Sequence, residues 1–405
     1  MVSAVTPGVG SDQLSRGTNQ TGVRLYNERL VLSLVRRHGS LPKADIARRT
    51  GLSPQTISTI VNALEADGIL LRLDPLRGKV GQPLVPYALN PRGAFFLGLK
   101  VGRRSSDIVL MDFVGTVLGR IHYPHPYPTP EIMLALTQRG IDELTSTLSP
   151  TDQQRIAGFG IASPFELWNW ESQLGAPADV LAAWRKADIR AEIAAISHWP
   201  VYFHNDGTAA CAAELVLGNG QHGDDFLYVF LGSFIGGGVV LNSHLFPGRT
   251  GYGGAIAPLP VPAPGGGFQQ LLRSASIYVL ADRLTEQGRD PAVLWRDPSE
   301  WGDIGPALDH WIHDAAQSLA IAAVSAVSII DFRSVVIDGA FPPAVRQRLV
   351  QATRDATQAF DLQGLAPFTI AEGTIGFGAR EIGGACLPLL ANFTQDREVL
   401  FKENS

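Results

Sequence analysis

Along residues 27–64, apolar side chains recur at helical spacing in three successive blocks: Leu30, Leu34 and Val35; Ile46 and Ala47; then Ile57, Ile60, Val61 and Leu64. Positions three and four apart share one face of a helix, so each block predicts an amphipathic helix. Gly51 lets the chain turn between the second and third helices, and Ser53-Pro54 supplies an N-cap followed by a first-turn residue whose missing N–H costs nothing. Opposite the apolar stripe, the third helix carries Gln55, Thr56, Ser58, Thr59 and Asn62, small or amide side chains without negative charge. The pattern then shortens to two apolar strands, Ile69–Leu73 and Leu84–Leu89, joined by a Gly-rich loop holding Arg77, Lys79 and Gln82. A plain helical hairpin would account for the helices alone; with the strands, the order is that of a winged helix-turn-helix, which puts one helix in the DNA major groove. Ser53, Gln55, Thr56, Ser58, Thr59 and Asn62 are therefore candidate contacts to base edges and phosphates. Arg77, Lys79 and Gln82 are candidate wing contacts to phosphate or the minor groove. Residues 1–25, rich in Gly, Ser and Thr, are expected to form a disordered tail, leaving 26–92 as the DNA-binding domain.

From Ala94 the pattern becomes strands alternating with helices. Phe95–Val101, Asp107–Phe113 and Gly115–Tyr123 read as three strands, followed by a helix over Pro130–Leu148, strands at Ile156–Ala162 and Val201–His204, and a helix at Asp206–Gly218. Phe226–Leu231, Gly237–Leu241 and His244–Pro247 repeat the three-strand group. A long apolar helix near Trp311–Ile330, a buried strand Ser334–Asp338 and a closing strand and helix from Phe368 complete the series. The repeated groups, FLGLKVGRRSSDIVLMDFVGTVLG and FLYVFLGSFIGGGVVLNSHLFPG, suggest an internal duplication. It predicts two similar α/β lobes over residues 93–405 with a ligand cleft between them.

Charge sharpens this division. Residues 1–92 hold 12 Lys/Arg against 6 Asp/Glu, whereas residues 93–405 hold 21 against 32. A basic module on an acidic body fits a DNA-binding head joined to a sensor. No uninterrupted apolar run is of membrane-spanning length and no charged-then-apolar leader opens the chain, so a cytoplasmic protein without membrane contact is expected. Cys211 and Cys386 are the only cysteines; they read as small buried residues and form no zinc motif.

Taken in order, FLGLKVG, GFGIASPF, PVYFHNDGTAACAAELVLGNG, LGSFIGGGVVLNSHLFPGRTGYGG and VVIDGAF resemble the ROK family of repressors and sugar kinases, from about Asn27 onward. The resemblance implies a two-lobed, actin-like (RNase H-like) sugar-kinase fold, and the winged head places the chain beside the family's sugar-responsive regulators. In that pattern Asp206 matches the kinases' base, and Asn205 holds a sugar hydroxyl. Asp206 can equally cap the helix that follows it, and both roles are compatible.

The phosphate loops depart from the family's pattern. Lys100-Val101-Gly102-Arg103-Arg104 stands where an Asp-x-Gly-Gly-Thr turn is usual, and Phe234 replaces a glycine within Gly232–Gly238. No useful kinase activity is therefore expected; Asp206 would be a vestigial base. Gly253–Pro258 lacks the glutamate and histidine of Ala-Gly-Glu-x-Gly-His, and Pro264–Gln270 lacks the cysteines of the zinc loop. His122 and His125 read as surface residues, so neither metal nor cofactor is expected. Candidate effector contacts are Asn205, Asp206, Ser163, Phe165, Glu166, Trp168 and Gly254, with Trp168 or Trp170 either stacking on a sugar or simply packing. The reading is a transcriptional regulator, a repressor of carbohydrate genes. It would bind an operator as a homodimer or tetramer and respond to a carbohydrate-like effector. An active sugar kinase and a ligand-independent DNA-binding protein with a scaffold body are the alternatives.

Overall fold

The computed structural model describes residues 20–75, 84–165, 167–169, 178–396 and 400. Arg77, Lys79, Gln82, Glu166 and Trp170 lie outside the described residues.

The head begins with α1, Gln20–His38, which starts inside the stretch expected to be tail. Its buried apolar side chains are Val31, Leu32 and Val35, while Leu30 and Leu34 are only partly covered. The buried stripe is turned from the expected one because α1 packs on the body as well as on its own domain. A short strand β1, Ser40–Pro42, follows; three residues ending in proline carry no alternation that could announce it. Then come α2, Lys43–Thr50, and α3, Pro54–Ala66. Gly51 ends α2 at φ 71°, a left-handed conformation that glycine adopts without a Cβ penalty. Ser53 Oγ accepts the Thr56 N–H at 3.1 Å and caps α3, which buries Ile57, Ile60, Val61 and Leu64. Strands β2, Leu70–Arg72, and β3, Pro86–Leu89, complete an antiparallel sheet of order β1-β3-β2.

The first lobe holds β4 Phe95–Val101, β5 Ser105–Asp112, β6 Val117–Pro124, α4 Pro130–Thr145, β7 Ile156–Ala162, α5 Ile189–Ile196 and β8 Val201–His204. Helix α6, Asp206–Leu217, leads to the second lobe. That lobe holds β9 Phe226–Leu231, β10 Ile235–Leu241, β11 His244–Phe246, a hairpin of β12 Pro260–Pro262 and β13 Phe268–Gln270, α7 Ile277–Glu286, α8 Pro306–Ile330, β14 Ser334–Gly339, α9 Pro343–Thr357 and β15 Thr369–Glu372. Helix α10, Ala379–Phe393, returns to the first. The two large sheets have the orders β6-β5-β4-β7-β8 and β11-β10-β9-β14-β15. In each, three antiparallel strands are followed by two parallel ones. The duplication suggested by the strand patterns is thus present as topology. Helix α8 is long and apolar enough to cross a membrane, but buries Trp311, Ala315, Leu319 and Ala323 in the second lobe's core.

Helix α10 is seated by glycines. A Cβ on Gly98 would lie 2.4 Å from Ala385 N, one on Gly160 1.8 Å from Gly384 O, and one on Gly383 1.9 Å from Ala209 O. The first two bring β4 and β7 against the helix; the third brings α6 against it. The same helix reaches the head. Phe393 packs edge-on to Phe96 and Phe113 at 5.8 and 4.8 Å, and the Gln395 N–H donates to Ser33 Oγ at 3.1 Å. One apolar cluster runs from Val31 and Ile57 through Phe113 to Ala213 and Leu387, so head and first lobe share a core. Arg36 donates to the Phe113 carbonyl at 2.9 Å, and Arg155 to the Gly68 carbonyl at 3.4 Å. Cys211 and Cys386 are both buried free thiols.

Candidate DNA-reading helix and interlobe cleft

On α3, Gln55, Thr59 and Asn62 form an exposed stripe along one edge. Ser53 is exposed too, but its hydroxyl is engaged with Thr56 Oγ1 at 2.8 Å and with the Thr56 N–H; Thr56 and Ser58 are half-buried. Ser53 and Thr56 therefore shape the helix start more than they present free groups. Thr59 Oγ1 donates back to the Gln55 carbonyl at 3.1 Å, leaving an acceptor lone pair outward. Lys43, which the sequence pattern did not single out, donates to Asn62 Oδ1 at 2.5 Å and lies 5.2 Å from the Tyr87 ring centroid. It adds a cation to the same face.

Where α6 begins, between the two lobes, Asn205 Oδ1 accepts the Gly207 N–H at 3.0 Å, so Asn205 is the cap of α6. This corrects the capping alternative for Asp206, which is instead the first helical residue. Its carboxylate, close to the positive end of the helix dipole, accepts from Arg380 Nη1 at 3.4 Å. Glycines close the α6 start: a Cβ on Gly207 would lie 2.6 Å from Gly237 N, and one on Gly254 2.5 Å from Gly238 Cα. Close backbone approach accounts for Gly254 without any ligand.

The remaining candidates are placed variously. Ser163 is buried at the end of β7, its hydroxyl donating to the Pro164 carbonyl at 3.2 Å. Phe165 stacks on Phe203 at 5.8 Å and meets Tyr252 edge-on at 4.8 Å, bridging the lobes. Trp168 packs against the first lobe's core, the packing role weighed for it.

Arg103, in the β4–β5 turn, lies 3.9 Å from the ring centroid of Phe234, in the β9–β10 turn. The β4–β5 and β9–β10 turns of the two lobes thus touch through this pair. Burial pushes the Arg103 guanidinium down to about 9; Asp206 opposes this and Arg380 adds to it. Arg380, 174 residues from Asp206 in sequence, had no local signal that could mark it.

Beside the cleft, Lys100 Nζ donates to Asp107 Oδ2 and His122 Nδ1 contacts Asp107 Oδ1, each at 2.6 Å. Burial raises the Asp107 carboxyl, and Lys100 and His122 more than offset it, leaving it below its ordinary value. The expected pair of surface histidines is only half right. The His122 side chain is 58 % exposed, but His125 is half-buried against Ser106, with Nε2 3.0 Å from its hydroxyl. Burial first, then Lys100, pushes the His125 imidazole from 6.5 down to about 4. The fold therefore favours neutral His125. Above pH 6.5 the imidazole is neutral in both states; between 6.5 and 4 only the unfolded chain takes up the proton, and stability falls. Urea midpoints measured across this window are expected to decline less for His125→Gln than for the parent; an unchanged slope counts against the assignment.

Among the described residues, no group of three or more His, Cys, Asp or Glu side chains converges as a metal site. The segment matched to the family's zinc loop is the β12–β13 hairpin, paired Val261 to Gln269, and offers no zinc donor set.

A ROK family model matches residues 96–263, and a winged helix-turn-helix DNA-binding model matches 24–70. The xylose repressor of Bacillus subtilis (strain 168) is 25 % identical over 248 residues, covering 60 % of this chain; the alignment spans 62 % of the repressor's own length. The DNA-binding transcriptional dual regulator NagC of Escherichia coli (strain K12) is 22 % identical over 298 residues, 71 % of each chain. Among solved structures, a ROK family transcriptional regulator, a homologue of the E. coli MLC protein, superposes with a TM-score of 0.64 at 21 % identity, covering 94 % of this chain and 99 % of that one. A ROK family glucokinase from Streptomyces griseus superposes with a TM-score of 0.55 at 18 % identity, over 73 % and 99 %. The chain thus carries a ROK family domain match over residues 96–263, preceded by a winged helix-turn-helix DNA-binding match over 24–70.

Proposed function

We propose that this protein is a sequence-specific transcriptional repressor of carbohydrate uptake or catabolism genes, controlled by a carbohydrate-like effector bound between the lobes. The carrying observation is the exposed polar stripe Gln55–Thr59–Asn62 on a helix whose core is continuous with the first lobe. A change at the cleft can therefore reach the DNA-reading helix through packed atoms. Helix α10 runs from Arg380, which faces Asp206, to Phe393 in the apolar cluster that head and first lobe share, and α6 starts at Asp206 and packs along α10. An effector acts through this route only by binding one DNA-affinity state better than another. The names of its relatives support the repressor reading. One winged helix offers few contacts, so a homodimer or tetramer on a two-fold site is part of the proposal.

The kinase alternative rests on the retained Asp206. Against it, Asp206 faces Arg380, and the Arg103–Phe234 stack joins the two turns that would have to cradle phosphate. The test combines operator binding with a thermal-shift screen of sugars, sugar phosphates and polyols. An effector is expected to raise the melting temperature by mass action and change operator affinity, with both effects lost in Asp206→Ala. ADP release over the same panel would favour the kinase; operator binding indifferent to every ligand would favour the scaffold.

A further inference from the structure

The first lobe holds the head through a shared core, and the second lobe reaches it by an ion pair. Arg37 lies in the last turn of α1, and its Nη2 donates to Asp224 Oδ1 at 3.1 Å. Asp224 belongs to the loop between α6 and β9, 187 residues away in sequence. The two side chains are 59 % and 60 % exposed. Between flexible exposed side chains such a pair contributes little, because ordering them offsets the attraction. Here the acidic partner is ordered in advance. Ser243 Oγ donates to the same carboxylate oxygen at 2.6 Å, and the Ser243 N–H to the Asp224 carbonyl at 2.7 Å. Ser243 sits in the β10–β11 turn at φ 62°, a left-handed conformation uncommon for serine. Ser243 first, then Arg37, holds the Asp224 carboxyl below its ordinary value, with Arg333 adding to the effect.

The loop that carries Asp224 is anchored to α6. His222, 6 % exposed, has Nε2 2.8 Å from Glu214 Oε1, and its carbonyl accepts from Ser334 Oγ at 2.8 Å. Glu214 lies about two turns beyond Asp206 on α6. Its carboxylate also accepts the N–H and the hydroxyl of Thr374, each at 2.8 Å, in the segment that leads into α10. Asp224 is therefore tied to the far end of α6, to the start of β14 and to the entry of α10. The head is fastened at two places, on two lobes, and a rotation of one lobe against the other must displace one fastening relative to the other.

We propose that the Arg37–Asp224 pair is a positioning contact for the reading head, tying it to the second lobe so that the angle between the lobes sets the angle at which α3 meets DNA. This rests on the effector reading only for what turns the lobes; the tie itself needs no ligand. Glu214 and His222 act through the loop, by keeping Asp224 in register with α6.

A double-mutant cycle on the full chain, with its own upstream DNA as the probe, tests this. Arg37→Gln and Asp224→Asn are each expected to change the preference for upstream over random DNA about threefold to fivefold, in the same direction. The double variant should change it no further than either alone. Asp224→Glu, which keeps the charge, should match the parent or fall between. Measuring preference cancels any contact of Arg37 with phosphate, which weakens all sequences alike. Spin labels on Arg48→Cys in α2 and Glu286→Cys in α7, both exposed positions, report the distance from head to second lobe, with the buried Cys211 and Cys386 left in place. One narrow distance is expected in the parent. A broadened or shifted one is expected in Asp224→Asn, and in the parent at about 1 M salt, where the screening length is about 3 Å. If Arg37→Gln does not fold, Asp224→Asn and the salt series carry the test. Additive effects in the cycle, or a distance unchanged by Asp224→Asn, overturn the tie. A sugar, sugar phosphate or polyol that stabilises the chain and alters operator binding, beside an additive cycle, keeps the effector cleft and removes this contact. A coupled cycle with no stabilising compound in that panel keeps the contact and counts against the effector.

Discussion

Gly383→Ala is expected to destabilise the protein by about 3 kcal/mol, the upper end of the range for overpacking a core. The added Cβ would stand 1.9 Å from the Ala209 carbonyl oxygen and 2.3 Å from its carbon. Both are backbone atoms in the first turn of α6, so no side chain can swing aside; one helix must shift against the other. A loss of this size is a large share of the roughly 5–15 kcal/mol that holds a typical domain together. Because α6 carries Asp206 and α10 carries Arg380, any surviving protein should also show a disturbed effector response. Gly265→Ala is the control: a Cβ there has nothing within 4 Å, and its effect should stay within about 0.5 kcal/mol. Equilibrium urea unfolding of the three proteins decides the matter, and a Gly383→Ala variant as stable as the control would mean that the two helices are not in contact through this glycine.

Removing both exposed amides of α3, as Gln55→Ala with Asn62→Ala, is expected to lower affinity for the operator about a hundredfold while leaving the unfolding transition nearly unchanged. A well-placed bidentate amide contributes about 1–3 kcal/mol of discrimination between bases, and two neighbours on one helix do not add fully. Both side chains are exposed, so their loss opens no cavity. Binding to random DNA should hardly change, because that is carried by phosphate contacts. Lys43→Ala should behave in the opposite way, weakening all sequences alike and lowering the salt dependence by about one counterion. Titrations of upstream and random DNA at several salt concentrations separate the two. A double variant that retains full preference for the upstream site would remove α3 as the reading helix.

Much of the architecture was legible because it is written locally. The spacing of Ile57, Ile60, Val61 and Leu64, with Ser53-Pro54 in front, specifies a capped helix whatever surrounds it, and α3 has those bounds. Runs such as Phe95–Val101, Ile156–Ala162 and Phe226–Leu231 are buried on both faces and coincide with strands β4, β7 and β9. Where the pattern was too short, as in β1, or where a helix packs on two partners, as in α1, local reading missed the element or the turn of its buried face.

The cleft was less legible, for a different reason. That Asp206 follows Asn205 at a helix start can be read in one dimension; that Arg380 faces it, that Arg103 lies on Phe234, and that Lys43 reaches Asn62 cannot. By itself, then, the sequence determined the winged head and the duplicated two-lobed body, because periodicity, capping and glycine positions act over a few residues. Only the tertiary structure decided that head and first lobe share one core, that α10 links the cleft to the head, and that the substituted loop residues meet each other, because those contacts join segments up to some hundreds of residues apart and depend on how the sheets and helices pack.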